Sequence, residues 1–266
     1  MHTDRLLPSV VSRLRAAGCV FAEDEARLLT AAARTPDELD ALVSRRSSGV
    51  PLELVLGWAE FCGLRITVEP GVFVPRRRSE FLAEQAAALC PPGGTVVDLC
   101  CGSGALGAAV AARAPGVTLH AADLDPVAVA CARRNLARCG GLVHHGDLFA
   151  ALPAELRGRV DVLIANVPYV PSADVPLLPP EAREHEPLLA LDGGSDGLAV
   201  LRRVAAAAAA WLAPGGHLLS ETGEHQAEAA RAAFASGGLS ASLARDPERY
   251  ATLVLGSAAA SGRAKT

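Results

Sequence analysis

The feature that most constrains the fold is a regular alternation of apolar strand segments and helical segments from Pro91 onward. Seven segments have the pattern of strands: 95–99, 117–122, 142–145, 160–165, 217–220, 239–244 and 252–255. Helical segments lie before or between them, at 79–89, 105–113, 125–139, 198–212 and 224–236. Strands that alternate with helices are typical of a doubly wound, mostly parallel sheet. The sequence therefore predicts an α/β fold with a seven-stranded, mostly parallel sheet.

The first fifty residues predict a small helical module. Val10, Val11 and Leu14 recur at helical spacing. Thr35 and Pro36 form a typical helix start, with Thr35 as the N-cap and Pro36 at the first helical position.

The next segment predicts a β-hairpin linker, because candidate strands at 54–56 and 64–68 precede a Pro-Gly turn. We therefore expect three parts: an N-terminal helical module at 1–50, the linker at 51–75 and the main domain at 76–266. Residues 257–266 are expected to form a tail of small residues.

Composition and net charge limit the classes of protein to which the chain is expected to belong. The net charge is −4, whereas nucleic-acid-binding proteins are more often basic. The seven cysteines form no C-x-x-C pair, so we expect reduced thiols in the cytoplasm. The longest apolar run, 204–213, is too short to span a bilayer. These features predict a cytoplasmic protein without membrane or stable nucleic-acid binding.

A glycine-containing loop follows the first strand of the main domain. Asp98 to Gly104 reads Asp-Leu-Cys-Cys-Gly-Ser-Gly, and ligands of such sheets bind beyond the carboxyl ends of the strands. The glycines allow a tight turn and a close approach of the backbone to a ligand. With Gly107 the loop also matches G-x-G-x-x-G, so a dinucleotide site remains an alternative.

Two more acidic residues follow the next strands. Asp123 is placed to bind ribose hydroxyls, which NAD and S-adenosylmethionine share. Asp147 is placed to accept a hydrogen bond from an adenine amino group, with Leu148 or Phe149 against the ring. Three acidic strand ends and the loop together favour S-adenosylmethionine, although Asp147 alone could equally be a loop cap.

The fourth strand leads into Asn166-Val167-Pro168-Tyr169. A planar nitrogen conjugated to a carbonyl or a ring is a poor nucleophile, because its lone pair is delocalised. The Asn166 side-chain oxygen and the Val167 carbonyl oxygen could accept its N–H bonds and orient it, while Tyr169 offers an aromatic face. The alternative is an ordinary proline turn capped by asparagine. The motif, at the end of a later strand than the glycine loop, predicts an N-methyltransferase.

From about Pro51 to Gly256 the sequence resembles the HemK/PrmC-type protein-(glutamine-N5) methyltransferases. The shared segments are Pro51 to Gly57, Phe61 to Leu64, Val74 to Arg76, Asp98 to Gly104, Asn166 to Tyr169, Glu186-Pro187 and Leu191 to Leu198. The resemblance implies a class I, Rossmann-like methyltransferase domain, S-adenosyl-L-methionine as cofactor and a protein substrate. The usual substrate of this family is the glutamine of the Gly-Gly-Gln loop in peptide-chain release factors.

The resemblance, with the reasoning above, assigns the site. The predicted catalytic residues are Asn166, Val167, Pro168 and Tyr169. The predicted cofactor-binding residues are Asp98, Cys100, Cys101, Gly102, Ser103, Gly104, Asp123, Leu124, Asp147, Leu148 and Asn166. No metal site is predicted.

The chain departs from the family's pattern in four places. Val167 replaces a proline, the family's Pro-Arg-Pro-Glu-Thr-Glu reads Pro-Arg-Arg-Arg-Ser-Glu at 75–80, Cys100 and Cys101 replace a glycine and a small polar residue, and the N-terminal module is short. We interpret Arg76 to Arg78 as a solvated charge run and Cys100 as a small packing residue rather than a nucleophile.

Four other functions remain open as alternatives, one of them a non-catalytic module that only binds the cofactor, against which the intact residues 166–169 argue weakly. Methylation of adenine in nucleic acid would require base flipping and a basic recognition domain, for which the chain has no room. Methylation of a small molecule is compatible with Val167 and the short module. An NAD-dependent oxidoreductase would use the glycines at 102, 104 and 107 but leaves residues 166–169 unexplained.

Overall fold

The computed structural model describes residues 7–260. The outermost residues of the predicted N-terminal module and of the predicted tail, 1–6 and 261–266, lie outside the described residues. Within the described part, no helix is both long and apolar enough to cross a membrane.

The main domain is the predicted seven-stranded sheet, in the order β5-β4-β3-β6-β7-β9-β8. All neighbouring strands are parallel except where β9 runs antiparallel to β7 and β8. A separate antiparallel hairpin, β1-β2, precedes it. The strands are β1 Trp58–Phe61, β2 Leu64–Thr67, β3 Thr95–Leu99, β4 Thr118–Asp123, β5 Leu142–His145, β6 Val160–Ala165, β7 Leu212–Glu221, β8 Ser240–Asp246 and β9 Ala251–Ser257.

Helices cover both faces of the sheet and form a separate group at the N-terminus. They are α1 Leu7–Ala16, α2 Ala22–Ala32, α3 Pro36–Ser47, α4 Leu52–Leu56, α5 Glu80–Leu89, α6 Ala105–Arg113, α7 Pro126–Leu136, α8 Pro180–His185, α9 Leu188–Leu191, α10 Ala199–Ala208 and α11 Ala227–Ser236.

The central strands are apolar on both sides because helices bury both faces. On one face Val97 and Leu163 pack with residues of α10 and α11, among them Phe234. On the other, Val96 and Ile164 pack with residues of α5, α6 and α7. Parallel strands place their carboxyl ends at one edge, and β3, β4, β6 and β7 all end there.

The N-terminal helices have their own core of buried residues, which includes Leu14, Leu29 and Val43. Thr35 caps α3 as predicted: its Oγ1 accepts a hydrogen bond from the Glu38 N–H at 3.1 Å. The buried Arg46 pairs with Glu25 at 2.6 Å and with Glu181 of α8 at 2.7 Å. The predicted boundaries near 50 and 75 stay predictions.

The strand predicted at 54–56 is wrong, since these residues form the end of α4. Pro51 precedes the first helical turn, and Gly57 ends the helix with a left-handed backbone, φ 78°, while its N–H donates to the Glu53 carbonyl oxygen at 2.7 Å. Leu54 and Val55 point into two different cores. Three apolar residues in a row fit a buried helical turn as well as a strand.

The helix predicted over 198–212 is also wrong at its end. α10 stops at Ala208, and β7 begins at Leu212, before the Pro-Gly-Gly segment that was expected to separate helix from strand. Leu212 pairs with Val160 across a β-bulge. The alanine run carries no stop signal, so tertiary pairing decides the boundary. Near the C-terminus, Ser257 belongs to β9 and not to the predicted tail of small residues.

Candidate active site

The loop between β3 and α6 turns sharply because several residues have positive φ: Cys100 55°, Gly102 54° and Gly104 77°. A Cβ atom at Gly104 would lie 3.1 Å from Cγ of Leu136, so a side chain there would crowd α7 and would also strain the left-handed backbone. At Gly102, a Cβ atom would have no atom of the described residues within 4 Å. The loop backbone at Gly102 therefore faces open space.

The Asp98 side chain stabilises this loop through a hydrogen bond to the start of α6. Its side chain is fully buried, and its Oδ2 accepts a hydrogen bond from the Gly107 N–H at 2.9 Å. Burial raises the pKa of the Asp98 carboxyl to about 7. Among the residues that the structure describes, neither Asp98 nor Gly104 lines the cavity that the loop faces. Both shape the loop, and their predicted contact with a cofactor stays a prediction.

Asp123, at the end of β4, joins this strand to the loop. Its Oδ2 accepts the Gly102 N–H at 2.8 Å and its Oδ1 accepts the Asp125 N–H at 2.9 Å. Burial raises the pKa of the Asp123 carboxyl. A carboxylate oxygen can accept more than one hydrogen bond, and Asp123 lines the cavity, so it can still bind hydroxyl groups.

The third acidic strand end is arranged differently. Asp147 lines the cavity but pairs with Arg203 at 2.5 Å, and both side chains are about half exposed. Leu124 and Leu148 also line the cavity. Phe149 does not, because it stacks on Trp211 in the core with ring centroids 5.3 Å apart. Of the two apolar residues proposed against a ring, only Leu148 is placed for it.

The four predicted catalytic residues lie in the cavity wall beside the loop. Asn166 Nδ2 lies 3.5 Å from the Ser79 hydroxyl oxygen, whereas the buried Asn166 Oδ1 has no hydrogen-bond partner within residues 7–260. A buried acceptor without a partner costs about 1–3 kcal/mol. Such a group is expected where a ligand supplies the missing donor.

The backbone of residues 166–169 rests on the segment after α9. A Cβ atom at Gly197 would lie 2.2 Å from the Tyr169 carbonyl oxygen, and one at Gly193 would lie 2.7 Å from the Pro168 carbonyl oxygen. The Gln226 side chain donates to the Tyr169 carbonyl oxygen at 3.0 Å and to that of Asp196 at 2.8 Å. The glycines of the 191–198 motif therefore allow this close approach.

A buried carboxylate, Glu221, lies at the end of β7 behind these residues. Its Oε2 accepts from the Ser79 hydroxyl at 2.6 Å, and its Oε1 accepts from Arg78 Nε at 2.8 Å and from the Tyr169 hydroxyl at 3.0 Å. A second Arg78 nitrogen donates to the Tyr169 hydroxyl oxygen. Burial raises the pKa of Tyr169, so its hydroxyl stays protonated at neutral pH.

The sequence analysis missed Glu221 and Ser79. Glu221 follows the same pattern as Asp98 and Asp123, because it is an acidic residue at the carboxyl end of a strand, and this signal could have identified it. The predicted start of β7 was wrong, but its end lay next to Glu221.

Residues 76–78 lie at a helix start and are partly exposed to solvent, as the charge-run interpretation has it, but two of the three also pair with buried carboxylates. Arg76 pairs with the buried Glu186 at 2.6 Å, and Arg78 pairs with Glu221 at 2.8 Å. Both arginines line the cavity.

A single cavity of about 590 Å³ connects the two walls. One wall is the glycine loop with Asp123 and Leu148, and the other holds Asn166 to Tyr169 with Arg78 and Glu221. Burial raises the pKa of the Cys100 thiol, which favours the packing interpretation over a nucleophile. No group of potential metal-binding side chains is found in the described part of the chain.

Known proteins with similar sequence and structure fit this arrangement. Residues 63–176 match the family model described as Methyltransferase small domain. A protein of Geobacter sulfurreducens named Release factor glutamine methyltransferase is 41% identical over 208 residues, which cover 76% of this chain and 72% of the relative. A protein of Streptomyces pristinaespiralis named 4-amino-L-phenylalanine/4-methylamino-L-phenylalanine methyltransferase is 38% identical over 203 residues, covering 74% and 69%.

The crystal structure of a methyltransferase from Pyrococcus furiosus superposes with a TM-score of 0.56 at 16% identity, covering 74% of this chain and 90% of that one. This likeness concerns the fold, which is the predicted class I methyltransferase fold. The sequence identity to the curated relatives shows more than the fold, because it extends over most of both chains. The chain belongs to the family of release factor glutamine methyltransferases.

Proposed function

We propose that the chain uses S-adenosyl-L-methionine to methylate the side-chain amide nitrogen of a glutamine in a protein, and that this glutamine lies in the Gly-Gly-Gln loop of a peptide-chain release factor. The observation that carries the proposal is the buried, unpartnered Asn166 Oδ1 in the wall of the cavity that the glycine loop also lines. An amide NH₂ group supplies the donor that this oxygen lacks.

The residues of the loop wall fit the cofactor. The cavity volume of about 590 Å³ is in the range of small-molecule sites, roughly 300–1,000 Å³. The open backbone at Gly102 would contact the cofactor closely, Asp123 would accept ribose hydroxyls, and Leu124 and Leu148 would pack against the adenine. The bound cofactor supplies an electrophilic methyl group on a positively charged sulfur.

The residues of the other wall would prepare the substrate nitrogen. Asn166 Oδ1 and the Val167 carbonyl oxygen accept its two N–H bonds, so that its remaining face is directed to the methyl group. The ring of Tyr169 packs against the planar amide. Methylation would leave the nitrogen positively charged, and this N-methylated cation is acidic enough to lose one N–H proton to water without a strong base. The protonated Tyr169 hydroxyl is not required as that base.

The test is methylation in vitro. Purified protein is incubated with a release factor and labelled S-adenosyl-L-methionine, and the Gly-Gly-Gln peptide is analysed by fragment mass spectrometry. We expect a gain of about 14 Da on the glutamine, the general mass of one methyl group replacing one hydrogen, when the side-chain amide nitrogen is alkylated. A release factor with Gln→Glu in this loop is the matched control. Label on other residues, or no label, contradicts the proposal.

A second candidate is methylation of an amino group on the aromatic ring of a small amino acid. Two observations favour it: the Streptomyces pristinaespiralis relative is nearly as similar to this chain as the release factor enzyme, and Arg78 places a cation at the cavity where the family pattern has glutamate. A parallel assay with 4-amino-L-phenylalanine decides between them. Faster turnover of this compound than of the release factor would favour the second candidate.

A further inference from the structure

The shape of the Asn166 side chain does not determine which way its amide group is turned. The amide oxygen and nitrogen are almost the same size, so both orientations of the group fit the same space. Only the oxygen can accept an N–H bond of the substrate, because the NH₂ group would face another NH₂ group. Some neighbour must therefore distinguish the two orientations.

We infer that Ser79, held by Glu221, is a positioning residue that turns the Asn166 amide so that Oδ1 faces the substrate nitrogen. The inference rests on the proposed function for the identity of the substrate group. The contacts involved join residues far apart in sequence: Ser79 lies 87 positions from Asn166 and 142 positions from Glu221.

The direction of the hydrogen bonds begins at Glu221. Its side chain is only 3% exposed and forms an ion pair with the Arg78 guanidinium, with Nε 2.8 Å from Oε1. An ionised carboxylate can only accept hydrogen bonds. The Ser79 hydroxyl, 2.6 Å from Glu221 Oε2, must therefore donate its single hydrogen to Glu221.

The orientation of Asn166 follows from this. With its hydrogen committed to Glu221, the Ser79 oxygen presents only lone pairs to its other neighbours. The facing group of Asn166 must then be a donor, and Nδ2 lies there at 3.5 Å. This contact is long for a hydrogen bond, but the opposite orientation would place two acceptors against each other. Oδ1, on the other branch of the amide, is buried and has no partner within residues 7–260, although Asn166 as a whole lines the cavity.

Glu221→Gln should reverse this direction without changing the shape of the side chain. The glutamine oxygen would stay with its two donors, Arg78 and Tyr169, and the amide NH₂ would face Ser79. Ser79 would then accept from residue 221 and donate to Asn166, which would turn the Asn166 NH₂ toward the substrate. We expect kcat to fall roughly 10-fold or more, since a lost oriented acceptor raises the barrier by over about 1.4 kcal/mol.

The decisive comparison is Ser79→Ala in the wild-type and Glu221→Gln backgrounds, assayed with a release factor or, if the wild type methylates it faster, with 4-amino-L-phenylalanine. In the wild type, Ser79→Ala should lower kcat several-fold, and Ser79→Thr, which keeps the hydroxyl, should recover most of it. In the Glu221→Gln background, Ser79→Ala should raise kcat, because it removes the group that enforces the wrong orientation. A further loss in that background, or an unchanged kcat in Ser79→Ala alone, would overturn the inference.

Two measurements separate this role from simple support of the fold. The dissociation constant of S-adenosyl-L-methionine and the unfolding temperature are measured for each variant, and we expect the former to stay within about 2-fold. Neutron crystallography of the unaltered protein locates the amide hydrogens directly. Nδ2 of Asn166 facing Ser79 is the expected result, and Oδ1 facing Ser79 overturns the inference. This result does not depend on the substrate, so it stays informative if the proposed function fails.

Discussion

The two walls of the cavity are built in different ways. In the loop wall the decisive contacts join residues close in sequence: Gly107 to Asp98, nine positions apart, and Gly102 to Asp123, 21 positions apart. In the substrate wall they join Glu221 to Tyr169, 52 positions apart, and to Ser79, 142 positions apart. The loop wall is therefore determined by a strand–helix–strand unit, and the substrate wall by the assembly of the whole sheet.

This difference predicts a separation of functions. Changes in the loop wall should alter cofactor affinity or local stability, whereas changes in the substrate wall should alter turnover at a saturating cofactor concentration. Each of the variants below tests whether cofactor affinity and turnover depend on different walls.

Asn166→Ala should have the largest effect. It removes an oriented acceptor, and losses of one such group cost roughly 10²–10³-fold in kcat in other enzymes. Cofactor affinity, measured by isothermal titration calorimetry, should change little. If the variant turned over at the wild-type rate, Asn166 would have no catalytic role. If it bound the cofactor much more weakly, the two walls would not be separable.

Asp98→Asn should change the pH dependence of stability. The pKa of Asp98 is raised by burial from 3.8 to about 7, so the unfolded chain loses this proton at a lower pH than the folded one. Its contribution to the free energy of unfolding is complete below about pH 4 and is lost as the pH rises to about 7. The slope for one proton is at most about 1.4 kcal/mol per pH unit.

Asparagine does not titrate and can still accept the Gly107 N–H, so this slope should disappear from the difference between variant and wild type. Urea unfolding midpoints from pH 4 to pH 8 measure it. The variant should gain stability relative to the wild type as the pH rises. A difference that stays constant over this range would show that Asp98 is already ionised in the folded protein.

Asp123→Ala should weaken cofactor binding by about 1–3 kcal/mol, the cost of leaving the ribose hydroxyl groups without their acceptor. Asp147→Ala is the matched comparison. Its carboxylate already pairs with Arg203 and is about half exposed, so we expect a smaller loss. Titration calorimetry on both variants gives the result, and equal losses would contradict the distinction between these two strand ends.

Val167→Pro should have the smallest effect. Pro168 already biases Val167 toward an extended backbone, so a second proline requires little change, less than about 1 kcal/mol in the free energy of unfolding. Thermal unfolding and turnover test this together. A large loss of either would show that the Val167 backbone conformation differs from that of the family's proline.

The sequence predicted the loop wall better than the substrate wall. The bounds of β3, α6, β5 and β6 were predicted correctly, because each has a clear apolar pattern between turn residues. The predictions for residues 54–56 and for the end of α10 were wrong, because short apolar runs and alanine runs fit a helix as well as a strand. Arg78, Ser79 and Glu221 could not be assigned together, since no local pattern reveals which distant strand ends meet.

The most direct test of the account is a crystal structure with S-adenosylhomocysteine and a Gly-Gly-Gln peptide bound. The account predicts that the glutamine amide nitrogen lies about 3 Å from both Asn166 Oδ1 and the Val167 carbonyl oxygen, as hydrogen bonding requires. Its free face should be directed to the cofactor sulfur, with room for one methyl group between them. A glutamine bound elsewhere, or a sulfur far from Asn166, would contradict the claim that the two walls serve one reaction.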